Sequence, residues 1–395
     1  MSKRQYEATH PWLTFRIDPP RFPAELWMIL GECQSKCEHI AGVPLRPADN
    51  AAMHEVYLAK GVAATTAIEG NTLSEQQVRQ RLEGTLSVPP SKEYLQQEID
   101  NIIEGCNSIL GEIRVSKLPE LSGPRIRTLN ALVLRGLDLE NDKAVPGDFR
   151  DHSVGVAGYR GAPAEDCPFL VERLCAWLNA LNNESDENRL IFSFIKAVLA
   201  HLYLAWIHPF GDGNGRTARL VEVQILMCSG IPSPAAQLLS NHYNETRSEY
   251  YRQLSRASRS GGDVVPFLLY ALRGFRDGLR SQIEYIRDLQ WRVTWTNFVH
   301  ESFRGRNSEP DRRRKHLTLA LSDWEKSVRL EDVTRLTPEL VEAYHRKTSK
   351  TLARDLAELE RMKLIVRESR AVKANRDLIL AFLPPRALGP KMLNR

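Results

Sequence analysis

The chain has 395 residues, enough for two or three domains and a sizeable core. Its 42% hydrophobic and 26% charged residues, with ordinary Gly and Pro counts, exclude the disordered and fibrous classes. The net charge of +5 is uneven: from Arg306 onward 21 Lys/Arg face 13 Asp/Glu, a local +8 over a remainder of −3, which fits a basic C-terminal accessory domain with either a nucleic-acid face or a solvated surface.

The N-terminus, MSKRQYEATHPWLTF, has no apolar core of signal-peptide length, and no stretch approaches the roughly 18 apolar residues of a membrane span. No membrane contact and a cytoplasmic location are expected. Helices are predicted over 23–41 and 50–69. Cys33 and Cys37 lie one helical turn apart in the first, but no second Cys pair stands near to complete four ligands, so all six cysteines are read as reduced and non-ligating. The second helix stops at Gly70 and leaves Glu69 at the negative end of its dipole, where a carboxylate gains from a cationic partner.

Helices over 93–113 and 125–136 come next. The segment Phe149–Arg160 (FRDHSVGVAGYR) breaks the helical pattern with Gly and short apolar alternation, which predicts a β-hairpin flap. After a helix over 168–182, Leu190, Ile191, Phe194, Ile195, Val198, Leu199, Leu202 and Trp206 recur at three- and four-residue spacings and predict a nearly buried helix. Further helices are predicted over 215–229, 244–259 and 263–303.

After Arg304 the sequence GRNSEPDRRRK reads as a linker. Helices near 312–322, 338–346 and 349–362 then precede a strand-turn-strand of Leu364–Glu368 and Asp377–Phe382, the order of a winged helix-turn-helix. Thr348–Leu359 has a capping residue, a leucine stripe and exposed basic residues, as recognition helices do. Arg367, Arg370, Lys373 and Arg376 fall on or near the wing, but Glu358, Glu360 and Glu368 dilute the positive face. DNA contact and protein contact therefore both stay open.

The chemistry concentrates in His208-Pro209-Phe210-Gly211-Asp212-Gly213-Asn214-Gly215-Arg216-Thr217-Ala218-Arg219, a loop that opens a helix. Gly213 and Gly215 let backbone approach a ligand, and the unpaired N–H groups of the next helix's first turn form an anion nest. Arg216 and Arg219 share one helix face and both reach that nest. Asp212 supplies a hard oxygen beside it, suited to Mg²⁺, and His208 supplies a base that titrates near neutrality.

This run matches HPFx(D/E)GNGRxxR at every specified position and resembles the active-site motif of Fic proteins. The resemblance implies AMP transfer from ATP to a Ser, Thr or Tyr hydroxyl of a target protein and of the enzyme itself. His208 would be the base and Asp212 the Mg²⁺ ligand. Asn214 and the Gly backbone would hold the α-phosphate, with Arg216 and Arg219 on the β- and γ-phosphates. Pro146-Gly147-Asp148-Phe149-Arg150 is similar to the family's PGxFR, which leads into a target-docking flap, here Val154, Gly155, Val156, Ala157, Gly158 and Tyr159. Tyr250 and Tyr251 match a helix flanking the nucleotide base, with core packing as the equal alternative.

Thr65-Thr66-Ala67-Ile68-Glu69-Gly70 resembles the family's inhibitory motif (S/T)xxxE(G/N), in the N-terminal position of class II members. By that resemblance Thr65, Glu69 and Gly70 form the inhibitory turn and Glu69 pairs with Arg219. The expected fold is mostly α: an N-terminal helical regulatory region over 1–115, a Fic helical core with a small β-hairpin flap over 116–285, a helical linker over 286–310 and a winged helix-turn-helix domain over 311–395. Removal of AMP from a modified protein, and a DNA-binding regulator that uses the Fic fold as a nucleotide sensor, are the alternative functions. A homodimer is left open.

Overall fold

The computed structural model describes residues 3–115, 120–139, 143–156, 159–181, 188–324 and 326–380. They form two compact units, Met1–Glu284 and Tyr285–Arg395.

In the first unit a single turn, α1 (Tyr6–Thr9), precedes two long helices, α2 (Ala24–Gly42) and α3 (Pro47–Ala67). Gly70, at φ 106°, ends the run that α3 begins. Residues with side chains other than glycine rarely adopt that conformation. The short α4 (Glu75–Leu82) starts on a reciprocal capping box of Ser74 and Gln77. Then come α5 (Glu93–Arg114) and α6 (Gly123–Val133), the latter capped by the Ser122 hydroxyl with Pro124 in its first turn.

The hairpin is present as β1 (Gly155–Val156) paired antiparallel with β2 (Tyr159–Arg160). Its expected tip, Ala157 and Gly158, lies outside the described residues. Helices α7 (Cys167–Ala180), α8 (Arg189–Ile207) and α9 (Asn214–Cys228) follow. Contrary to the sequence reading, α8 is long and apolar enough to cross a bilayer, but it is largely buried and packs against α2, α7 and α9. Its apolar residues are the centre of the core: Phe194, Ile195, Val198, Leu199, Leu202 and Trp206 all have 2% or less of their surface exposed.

Beyond α10 (Ser233–Ala236), the predicted helix 244–259 is α12 (Arg247–Arg259), and an unpredicted short helix, α11 (Leu238–Glu245), precedes it. The break is at Thr246, whose backbone leaves the helical region and whose hydroxyl bonds the His242 carbonyl at 2.7 Å. The first part of α13 (Val265–Ser302) completes this unit.

The second unit holds α14 (Glu309–Ser322), β3 (Val328–Arg329), α15 (Pro338–Tyr344), α16 (Ser349–Arg361), β4 (Ile365–Glu368), β5 (Ala371–Ala374) and α17 (Asp377–Leu380). Its antiparallel sheet has the order β3-β5-β4. The predicted second strand, 377–382, is misplaced: Asp377–Leu380 is helical, 381–382 lie outside the described residues, and the strand is Ala371–Ala374, reached by a tight turn at Ser369-Arg370. The linker expected over 286–310 is in part core, because Trp295, Val299 and Phe303 pack with Leu317, Leu356 and Val372. Asp355, 1% exposed, binds this unit's polar centre, accepting from Arg313 Nε at 2.7 Å, Arg314 Nε at 2.8 Å and the Tyr344 hydroxyl at 3.0 Å.

Candidate active site

Local backbone chemistry shapes the loop between α8 and α9. His208 ends α8 in the left-handed region, φ 52° and ψ 58°, and Gly213 precedes α9 at φ 73°. The Asn214 amide closes the turn between them, accepting from Phe210 N and donating to Phe210 O, each at 2.9 Å. The oxygen and one N–H of that side chain are committed to the loop, which leaves its second N–H beside the backbone N–H groups at the start of α9.

Asn130 of α6, fully buried, braces the far side. It donates to the Asp212 carbonyl at 3.0 Å and accepts from Gly147 N at 2.9 Å. The PGDFR segment is thereby tied to the loop, and Phe149 stacks on Phe210 with ring centroids 5.5 Å apart. Arg150, 5% exposed, has only carbonyl partners among its hydrogen bonds: His208 O at 2.7 Å, His152 O at 2.6 Å, Ala162 O and Ile207 O at 3.4 Å. One guanidinium thus joins the base of the hairpin to the backbone of His208. On the hairpin's outer side, Tyr159 donates to the Trp206 carbonyl at 2.9 Å and His10 Nε2 lies 2.9 Å from the Arg160 carbonyl.

Burial pushes the His208 imidazole down to about 4, aided by the positive charge of Arg150 and opposed by a hydrogen bond to the Ala205 carbonyl and by Glu69 and Asp212. The ring is neutral at physiological pH. A bond to a carbonyl makes one ring nitrogen the N–H and leaves the other as proton acceptor.

Arg219 is 1% exposed. Its Nη2 donates to Glu69 Oε1 at 2.5 Å and to the Thr65 carbonyl at 2.9 Å. The pairing of Glu69 with Arg219 that the resemblance implies is therefore present. The same carboxylate lies over the first turn of α9, where a Cβ on Gly215 would collide with Glu69 Oε1. Burial alone would raise the Glu69 carboxyl, but Arg219, with Arg216 and His208, outweighs it and holds the group below its ordinary value. An anion thus already sits where helix dipole and arginine converge.

Arg216 is also occupied: Nη1 contacts Glu98 Oε1 at 2.5 Å and Nη2 contacts Asp212 Oδ1 at 3.3 Å. Asp212 accepts from Gly213 N at 2.5 Å and keeps about a third of its side chain exposed. Arg247 donates to the carbonyls of Ala67 and Ile68, at 3.3 and 2.5 Å, and so caps the carbonyl end of α3.

The two tyrosines divide. Tyr250 is 3% exposed and bonds His201 Nε2 at 2.8 Å, in a buried group where His201 Nδ1 lies 3.1 Å from Glu222 Oε2 and Tyr243 donates to Glu222 Oε1 at 2.9 Å. Its hydroxyl is therefore a core group, while Tyr251 keeps some surface. Glu98, Asn130 and Arg247 complete the site without any motif that marks them.

Residues 120–226 match the Fic/DOC family model. The chain is 32% identical over 222 residues to the protein adenylyltransferase fic-1 of Caenorhabditis elegans, an overlap of 56% of this chain and 40% of that protein. It is 30% identical over 212 residues to the protein adenylyltransferase Fic of Drosophila melanogaster, covering 52% and 38%. It spans about two fifths of the length of these curated relatives. Among solved structures, a Fic family protein from Desulfovibrio desulfuricans shares the fold over 91% of this chain and 98% of its own, with TM-score 0.56 and 20% identity. Fic-1 from C. elegans matches at TM-score 0.52 and 29% identity over 67% of this chain and 73% of that one. The loop motif lies inside the region, residues 120–226, that matches the Fic/DOC family model, and the chain shares its helical fold with solved Fic proteins.

Proposed function

We propose that the protein transfers AMP from ATP to a Ser, Thr or Tyr hydroxyl on a target protein and on itself, and that Glu69 holds this activity low. The observation that carries the proposal is a neutral base, His208, one short loop from a helix N-terminus whose arginine is already paired with an internal carboxylate. The free His208 nitrogen accepts the hydroxyl proton as the oxygen attacks the α-phosphorus in line. The new O–P bond forms, the bond to pyrophosphate breaks, and positioning and charge neutralisation lower the barrier. Arg216 and Arg219 take the β- and γ-phosphates, and the first-turn N–H groups of α9 take the α-phosphate.

The donor set suits Mg²⁺: Asp212 is a lone, partly exposed carboxylate, and magnesium commonly takes one or two carboxylates with phosphate oxygens and water. Bound there, the ion would neutralise charge on the leaving group. Glu69 opposes all of this, because its carboxylate already lies against Arg219 Nη2 and over the first turn of α9, where a phosphate would sit.

The target would add as a strand to the flap edge through main-chain hydrogen bonds, which tolerate varied sequence. For the second unit, DNA and protein contact are separated by whether salt-dependent retention on duplex DNA occurs. A cytoplasmic setting and a homodimer belong to the same proposal.

With radiolabelled ATP, Glu69→Gly is expected to raise self-labelling well above wild type, and His208→Ala in that background to abolish it. Equal labelling of all three proteins would falsify the proposal. If Glu69 instead directs water, a pre-AMPylated target loses its label faster with wild type than with Glu69→Gly, and AMP removal is then the activity.

A further inference from the structure

Arg216 is the second cation of the nest and is only 6% exposed. Its shortest contact is Glu98 Oε1, at 2.5 Å, from a helix 118 residues earlier in the chain. The other oxygen of that carboxylate, Oε2, accepts from Asn71 Nδ2 at 2.8 Å. Asn71 is itself 6% exposed and fixed from three sides: Nδ2 also donates to Leu95 O at 2.9 Å, Oδ1 accepts from Leu73 N at 3.0 Å, and its backbone N–H donates to Thr66 O at 3.1 Å. It stands two residues after Glu69. Glu98 thus binds an arginine of α9 with one oxygen and the segment carrying Glu69 with the other.

We infer that Glu98 is a positioning residue that works as a second latch: it restrains Arg216 directly and, through Asn71, steadies the turn that presents Glu69. The inference rests on the nucleotide-binding role proposed above for α9. Its platform is rigid, because α5 buries Leu95, Ile99, Ile102, Cys106 and Ile109 along one face. The two guanidiniums of α9 face three carboxylates, Glu69, Glu98 and Asp212, so the resting site has a surplus of negative charge at the place a polyphosphate must enter. A nucleotide has to displace both latches, and because they share Asn71, loosening one loosens the other.

The test is calorimetric titration of the full chain with Mg-ATP, using wild type, Glu98→Gln, Glu69→Gly and the double variant, with melting temperature as the check on folding. Glu98→Gln keeps shape and removes charge, and should bind ATP more tightly, on the order of fivefold. The gain from Glu69→Gly should be smaller in the Glu98→Gln background than alone, since contacting latches are not additive. Glu98→Ala, uncharged and helix-favouring, should move affinity the same way even if glutamine finds a new hydrogen bond. Damage to structure can only weaken binding, so tighter binding distinguishes a latch from a scaffold. Unchanged or weaker ATP binding by both Glu98 variants, with Glu69→Gly still tighter than wild type, overturns the latch alone. No ATP binding by any of the proteins overturns the nucleotide role itself.

Discussion

At the scale of single residues, the site depends on an imidazole kept neutral by burial. Free imidazole takes up a proton near pH 6.5, whereas His208 in the folded chain does so only near 4. In the Glu69→Gly variant, which also loses a carboxylate that raises the imidazole, kcat/KM, which reports the free enzyme, should therefore stay level as pH falls through 6.5. Stability carries the opposite side of this linkage. Between those two values the unfolded chain binds more protons than the folded one, so acidification across that window destabilises the fold. His10, His54 and His242 are also lowered by burial and act in the same direction. The difference in melting temperature between wild type and His208→Asn, measured from pH 7 to pH 4, isolates the share of His208. A level difference would contradict a lowered imidazole.

The loop residues were legible because their chemistry is contiguous: base, turn glycines, carboxylate and arginines fall within twelve positions. Glu98 and Asn130 were not, since they reach the loop across 118 and 82 residues and share no spacing with it. Asn214 shows a different limit. Its motif position is readable, but which atoms its amide serves depends on how the loop closes around Phe210.

At the scale of elements, α3 and α9 meet through their ends, and the sign of each helix end suits the contact. The carbonyl end of α3 meets cations, Arg219 at Thr65 O and Arg247 at Ala67 O and Ile68 O, while the N-terminal end of α9 meets the Glu69 carboxylate. Arg247 touches neither the base nor the nest in this arrangement. Its loss should cost the inhibitory turn about 1 kcal/mol of hold, so Arg247→Ala should raise basal self-labelling on the order of fivefold, less than Glu69→Gly does. Labelling no higher than wild type would mean that the cap does not restrain the turn. Helix ends were readable within a few residues where a glycine or proline marks them, as at Gly70. The short α11 was not, because the chain leaves helical geometry only at Thr246 before α12 begins, with no glycine or proline to mark the join. The wing strand was misplaced because Val372 and Ala374 alternate with half-buried positions for only four residues, too few to outweigh the longer apolar run at Asp377 onward.

At the scale of the whole molecule, each unit has its own centre and should fail on its own. Asp355 gathers Arg313, Arg314 and Tyr344 inside the second unit, and removing a buried charged partner typically costs roughly 3 to 5 kcal/mol. Scanning calorimetry of Asp355→Ala should therefore show a transition moved to lower temperature beside one that is unmoved, with Mg-ATP shifting only the unmoved one. A single transition that moves as a whole would show the two units to be one cooperative structure.

The contact between Glu69 and Arg219 has a consequence for what a rate measures. On the proposed function the inhibitory carboxylate and the arginine it holds belong to one covalent chain, so dilution cannot separate them. At subsaturating ATP, the ratio of the wild-type rate to that of Glu69→Gly is then the fraction of molecules in which the latch stands open, K/(1 + K) for an opening constant K. A partner, a modification or a change of ATP level can be ranked on that one scale by how far it moves the ratio toward unity.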